Sequence, residues 1–266
     1  MSFSIAGKTA IVTGAANGIG LAIGRVFAAK GANVMFADMD EARLIDELGE
    51  QAEDSNVRYF AGDLREKLTI ANLLSATIDA FDEINILVNG ARQVIASDPL
   101  DLEDESVIAL LNQNLIPALR LSQLVARRMI KQAAGSEEGS VGSIINLSSI
   151  AARRTHPELL GFSVSTAALD QLTRSLAVAL APHRIRVNAV AFGSVMSHSL
   201  KTTLKHNRDF RQDIEEHTPL SRIAAPTELA EAAQFLASDA AGFMTGQILT
   251  VDGGRTLLDP VAAPVH

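Results

Sequence analysis

A doubly wound α/β domain, with one parallel sheet of about seven strands and helices on both faces, is the fold that the sequence predicts. Three observations predict it. Short β-branched runs alternate with longer amphipathic stretches along the whole chain, the rhythm of strand–helix–strand units whose strands are buried on both faces. A glycine-rich turn, TGAANGIG at 13–20, follows the first such run and opens the first helical stretch. With 266 residues, 47% of them apolar, the chain is long enough to cover one sheet on two sides.

Strands are expected at 9–13 (TAIVT), 33–37 (NVMFA), 57–61 (VRYFA), 84–88 (INILV), 143–147 (SIINL), 186–190 (RVNAV) and 248–251 (ILTV). Helices are expected near 18–30, 41–53, 66–81, 104–133, 158–181 and 227–237. The polar, glycine-rich stretch GSEEGSVG at 135–142 reads as a surface connection. Nothing resembles an interdomain linker, a repeat or a low-complexity segment, so 1–266 reads as a single domain. Two segments break the rhythm. Residues 194–222 form a long insertion holding His198, His206 and His217; such an insertion after a strand's carboxyl end lines a substrate cleft in open α/β sheets. A solvated pair of surface helices is the alternative. The tail 257–266 (LLDPVAAPVH) is apolar with two prolines, and is expected to pack against the rest of the chain or a neighbouring subunit.

Composition excludes several functions. The 23 basic and 31 acidic residues give a net charge of −8, which argues against nucleic acid or an anionic membrane as partner. The absence of cysteine excludes disulfides, thiolate zinc sites, iron–sulfur clusters and a cysteine nucleophile. The histidines of 194–222 lack close ligand spacing, so no metal is expected. No apolar run is long enough to span a bilayer, and the opening MSFSIAGKTAIVTG has neither a basic leader region nor a small-residue cleavage site. A cytoplasmic location is expected.

Gly14, Gly18 and Gly20 permit a tight turn and close backbone approach to a pyrophosphate, with Asn17 and Ile19 between them. The helix that begins there offers free N–H groups and the positive end of its dipole. Asp38 ends the second strand, eighteen residues past Gly20, where a carboxylate accepts both hydroxyls of an adenosine ribose and repels a 2′-phosphate. NAD(H) is therefore expected over NADP(H). The alternative for Asp38 is a cap on the helix that follows.

The glycine spacing, three residues and then one, resembles that of the short-chain dehydrogenase/reductase family, whose domain is Rossmann-like. The resemblance continues along the chain in family order. Asp63-Leu64 matches the pair that contacts adenine, and Asn89-Gly90-Ala91 falls at the first three residues of the family's Asn-Asn-Ala-Gly, with Gly90 in place of the second asparagine. Asn114 matches the active-site asparagine, and GSIINLSS, ending in Ser149, matches the fifth strand with its catalytic serine. RVNAVAFG, ending in Gly193, matches the sixth strand, and Ser197 falls where a threonine often contacts the nicotinamide amide. The stretch at 226–254 is close to the carboxyl-terminal signature. The resemblance implies hydride transfer between nicotinamide C4 and an alcohol or carbonyl carbon of a small molecule. It also implies homodimers or homotetramers built on helices 104–133 and 158–181, whose Leu110, Leu121, Leu169, Leu172 and Leu176 are otherwise core residues.

The family's general acid is a tyrosine thirteen residues after the serine, and a lysine four residues later lowers its pKa and holds the nicotinamide ribose. In this chain those positions are Phe162 and Thr166, in an alignment without gaps. The one tyrosine, Tyr59, belongs to the third strand, and no lysine lies between Lys131 and Lys201. Phenylalanine has no proton to give and threonine no positive charge; loss of a general acid alone costs about 10²–10⁴ in rate. Two further departures fall in the same region. Arg92 replaces the glycine that ends Asn-Asn-Ala-Gly, and Phe192 replaces the proline of a Pro-Gly turn. The adenosine half of the site is intact and the nicotinamide half is dismantled.

Two readings follow. In the first, the chain is a catalytically weak or silent homologue that binds NAD, alone or in a hetero-oligomer with an active relative. In the second, a displaced acid serves, with His156 the candidate and Arg92, Arg153 and Arg154 available to an acidic or acyl-phosphate substrate. The alternative for His156 is an exposed loop residue before Pro157.

Overall fold

Seven strands form at the expected places in the computed structural model, which describes residues 2–49, 56–135, 138–207 and 209–259. Strand β1 (Thr9–Thr13) leads through α1 (Gly18–Ala29) to β2 (Asn33–Asp38), and α2 (Glu41–Leu48) precedes β3 (Val57–Ala61). Helix α3 (Lys67–Phe81) crosses to β4 (Ile86–Asn89), after which come α4 (Ser106–Asn114), α5 (Ile116–Gln132) and β5 (Gly142–Ser149). Helix α6 (Leu160–Leu180) then joins β6 (Ile185–Phe192). The chain continues through α7 (His198–His206), α8 (Asp209–Glu216) and α9 (Pro226–Ala237) to β7 (Ile248–Val251). Every pairing is parallel, in the order β3-β2-β1-β4-β5-β6-β7. The order reverses between β1 and β4, so a crevice opens beyond their carboxyl ends, where ligands bind in open sheets of this kind.

Alternation along each strand divides the core into two layers. Val12, Val34, Phe36, Val88 and Ile145 face Ile23 and Phe27 of α1, Leu44 and Leu48 of α2, and Leu229 and Leu236 of α9. Ile11, Met35, Leu87, Ile144 and Val187 face Leu73 of α3, Leu121, Val125 and Met129 of α5, and Ala177 of α6. Leu110, Leu121 and Leu169 are buried core residues, whereas Leu172 and Leu176 are half-buried.

The structure corrects several boundaries. The helix expected over 104–133 is two helices, α4 and α5, with the break at Leu115. Pro117 has no N–H to bond the Gln113 carbonyl, and its ring crowds that carbonyl, so one helix cannot run through. Helix α2 stops at Leu48, and residues 50–55 lie outside the described residues. The fourth strand begins at Ile86, with Ile84 buried before it. Segment 194–222 carries α7 and α8, and α8 has no buried residue. Of the tail at 257–266, residues 260–266 lie outside the described residues, as does the His198 side chain. No helix among the described residues is long and apolar enough to cross a membrane.

Candidate nucleotide and active site

The turn after β1 is built by contact. Gly14 has φ +67°, and a Cβ there would lie 2.6 Å from the Gly90 carbonyl oxygen; a Cβ on Gly20 would lie 2.1 Å from that of Gly14. Only glycine lets the turn, the first turn of α1 and the loop after β4 close to this distance. Thr13 holds them together: its Oγ1 accepts from the N–H groups of Gly90 at 3.0 Å and Ala91 at 3.1 Å. The Asn17 side chain makes no cap bond and no acidic residue lies in the first turn of α1. The first N–H groups of the helix, and the positive end of its dipole, are thus left for an anion.

A cleft of about 430 Å³ opens at this point, lined by Gly14, Asn17, Gly18, Ile19, Gly20, Asp38, Asp63, Leu64, Gly90, Ala91, Arg92 and Ser197. Asp38 Oδ2 accepts from the Ala16 N–H at 3.0 Å and its Oδ1 from the Asp40 N–H at 3.2 Å, which fixes the carboxylate at the mouth of β2. The cap of α2 is Asp40, which accepts from the Arg43 N–H; Asp38 does not cap that helix. Arg65 donates to both carboxylate oxygens of Asp63, and this pairing holds Asp63 below the usual carboxylate range. Ser197 also caps α7. Thr13 and several lining residues, among them Met39, Gly62, Gln93, Val94, Gln113 and Leu147, escaped the sequence reading. Adjacency could have pointed to some of them: Met39 follows Asp38, Gly62 precedes Asp63, and Gln93 and Val94 follow Arg92.

Beyond Leu147 the site closes to a cavity of about 20 Å³, lined by Asn89, Ala91, Arg92, Asn114, Ala118, Leu147, Phe162, Thr166 and Leu169. Each polar side chain there except Arg92 is committed to the fold. Asn89 donates to Ser122 and to Asn146. Asn114 Oδ1 accepts from the Gln93 N–H at 2.8 Å while its Nδ2 donates to the Gln93 carbonyl at 2.9 Å and to Ser165. Thr166 Oγ1 donates to the Phe162 carbonyl at 2.6 Å. Phe162 itself is buried in a small cluster with Leu110 and Ala151.

Ser149, which lines neither space, accepts from the Ala151 N–H and donates to the Phe192 carbonyl. Gly193 also lies outside both, against Asp252 and Ile150. His156 is exposed and accepts from the Glu158 N–H. It lines a separate hollow of about 500 Å³ with Ala151, Thr155, Pro157 and Val164, so the structure does not bring it together with Phe162 or Asn114. Tyr59 sits on β3, at the opposite edge of the sheet from β5 and β6.

Arg92 is the exception. Its guanidinium carbon lies 4.2 Å from the Phe192 ring centroid and 6.0 Å from that of Phe162. Solvent reaches it along the cleft, yet the protein around it desolvates the charge and lowers its pKa to about 10. It remains a cation at neutral pH.

A family model described as Enoyl-(Acyl carrier protein) reductase matches residues 14–256. The chain belongs to the short-chain dehydrogenase/reductase family. It is 33% identical to an uncharacterized oxidoreductase of Mycobacterium tuberculosis over 96% of this chain and 94% of that one. It is 32% identical to the 7alpha-hydroxysteroid dehydrogenase of Escherichia coli, over 93% and 94%. A short-chain type dehydrogenase/reductase from Mycobacterium marinum superposes with a TM-score of 0.84 at 29% identity, over 96% and 97%.

Membership in this oxidoreductase family implies a nicotinamide dinucleotide, and the two ends of the site fit it unequally. The glycine turn, the open end of α1 and the fixed Asp38 carboxylate form a cradle that a Cβ would fill, as an adenosine diphosphate group requires. At the other end a space of about 20 Å³ holds no more than a water molecule. Arg92, stacked against Phe192, stands there where the family resemblance has the glycine that lets the backbone approach the nucleotide.

Proposed function

We propose that this short-chain dehydrogenase/reductase binds an NAD-type dinucleotide through its adenosine half and lacks the proton-transfer pair for the alcohol–ketone hydride transfer of its family. It is then weak or silent in that reaction. The observation that carries this reading is the joint fate of Phe162 and Thr166, one buried in an apolar cluster and the other bonded to its own helix. Phe162 has no proton to offer a reacting alcohol, and Thr166, whose hydroxyl proton is given to the Phe162 carbonyl, has no charge to offer.

On this reading Gly14, Asn17, Gly18, Ile19 and Gly20 hold the pyrophosphate, and Asp38 accepts from the adenosine ribose. Asp63 and Leu64 flank the adenine, and Gly90 and Ala91 close the opposite wall. A 2′-phosphate would meet the Asp38 carboxylate, so NAD(H) is preferred over NADP(H). When bound, the dinucleotide supplies a hydride acceptor or donor at the nicotinamide carbon. Asn114 and Ser149 are retained in type, but Asn114 is bonded to the Gln93 backbone and to Ser165, and Ser149 to the backbone of Ala151 and Phe192. Exposed Leu160, Val164 and Val178 on α6 offer an assembly surface for a homodimer or homotetramer, or for a hetero-oligomer with an active relative in the cytoplasm.

Titration of the purified chain with NADH, followed by calorimetry and by nucleotide fluorescence, tests the reading together with a turnover screen over small alcohols and ketones. Saturable binding below millimolar nucleotide with no turnover is expected. Turnover of about 1 s⁻¹ or more, ordinary for an enzyme, would overturn it, and His156→Ala would then show whether the displaced acid serves.

A further inference from the structure

We propose that the cleft is a receptor for an adenosine diphosphate group whose distal phosphate is gripped by Arg92, and that the Arg92 guanidinium takes the place of a nicotinamide ring. The proposal rests on the adenosine-end reading above and narrows its ligand to ADP-like nucleotides, free ADP or ADP-ribose, that carry no nicotinamide.

Three elements converge on the guanidinium. Arg92 follows β4, Phe192 ends β6 and Phe162 lies in the first turn of α6, and the two rings lie 4.2 and 6.0 Å from the charge. A planar cation over aromatic faces is favourable, and an oxidised nicotinamide, also planar and cationic, would compete with it beside Phe192, at the turn where the family resemblance puts the ring. Two cations side by side against Phe192 would repel.

The hydrogen bonds point to the same ligand. A ribose on that side would find Asn114, Ser149 and Thr166 already bonded within the protein. Arg92 carries five N–H donors and makes no hydrogen bond or ion pair with any described residue. It lines the same 430 Å³ cleft as the glycine turn and the open end of α1. A diphosphate seated on that helix end would therefore have Arg92 on its distal side, and a guanidinium fork binds phosphate through two parallel bonds.

The test is a calorimetric titration of the full chain with ADP, ADP-ribose, NADH and NAD+, in the wild type and in Arg92→Gln and Arg92→Gly, with circular dichroism melting to establish that each variant folds. Expected are ADP and ADP-ribose binding roughly tenfold or more tighter than NAD+, the size of one charge-assisted contact. Arg92→Gln should weaken ADP by a similar factor, and Arg92→Gly should bring NAD+ level with ADP-ribose. If NAD+ binds the wild type as tightly as ADP-ribose and Arg92→Gln changes neither, the proposal is overturned while the adenosine site stands. If none of the four nucleotides binds up to millimolar concentration, both readings fall.

Discussion

Thr166 Oγ1 donates a 2.6 Å hydrogen bond to the carbonyl of Phe162, one turn back along α6, and Ser165 donates to the same carbonyl at 3.0 Å. The two positions that carry tyrosine and lysine in the family resemblance are thus tied to each other within one helix. Their side chains point into purposes of stability: Phe162 adds apolar burial beside Leu110 and Ala151, and Thr166 satisfies its hydroxyl locally, as threonine does in helices.

Restoring chemistry therefore requires both positions. Phe162→Tyr alone supplies a phenol without the lysine of the family pair, its one nearby cation among the described residues being Arg92, stacked on Phe192, and Thr166→Lys alone supplies a cation with no acid to act on. Neither single variant is expected to form NADH from a small alcohol at a measurable rate. The double variant is the minimum for such activity, and on an Arg92→Gly background, which frees the nicotinamide position, it should exceed either single change by about 10²–10⁴. Activity of Phe162→Tyr equal to that of the double variant would contradict the argument.

Asp38 is the second point of test. Its carboxylate is held by the N–H groups of Ala16 and Asp40, so it is oriented before any ligand arrives. Asp38→Ser should weaken ADP-ribose and NADH roughly tenfold, the worth of one charge-assisted hydrogen bond, and should weaken 2′-phosphorylated nucleotides less or not at all. Parallel titrations with NADH and NADPH measure the change in ratio; an unchanged ratio would remove Asp38 from the ribose site.

The strand positions and the doubly wound sheet were legible because short apolar runs alternate with amphipathic stretches; the strand order was not, while the two layers follow from Ile11 and Val12 facing opposite sides, as Met35 and Phe36 do. The break at Leu115 was also written in the sequence, in Pro117, but the amphipathic pattern continues across it and conceals it. The role of Asp38 was ambiguous for a local reason, since Asp38 and Asp40 are both able to cap α2 and only backbone direction separates them. Least legible was Arg92. Its identity marked a departure, yet its partner Phe192 lies one hundred positions away, and no periodicity reports where a long side chain comes to rest. Thr13 was missed for a similar reason, because its bonds to Gly90 and Ala91 join two strands that the chain visits far apart.

The polar seam inside the sheet offers a stability test independent of ligand. Asn146 is fully buried; its Oδ1 accepts from Asn89 Nδ2 at 2.8 Å and its Nδ2 donates to Thr173 Oγ1 at 2.8 Å. Asn146→Leu keeps the volume and removes both bonds, leaving Asn89 with Ser122 alone. A loss of about 1–3 kcal/mol is expected, measured by urea unfolding. Combined with Asn89→Ala the losses should fall short of their sum, because the two side chains share one bond.

Asp170 gives the pH dependence. Its carboxylate is 4% exposed and accepts from Ser148 Oγ at 2.5 Å. Burial raises its pKa, opposed by the Ser148 bond and by the charges of Arg174 and Arg153. The folded chain thus holds this proton to higher pH than the unfolded chain, whose aspartate titrates near 3.9. Stability from the protonated group is fully present below that value and is lost as pH rises through the folded pKa. Asp170→Asn keeps an oxygen for Ser148 and removes the buried charge. At neutral pH the variant should be more stable by about 0.5–2 kcal/mol, the range of single stabilising substitutions, which is a few degrees in a domain of this size. The advantage should shrink as pH falls toward 4. Melting curves of both proteins across that range check it; a variant less stable at neutral pH would mean that Arg174 and Arg153 more than offset the burial.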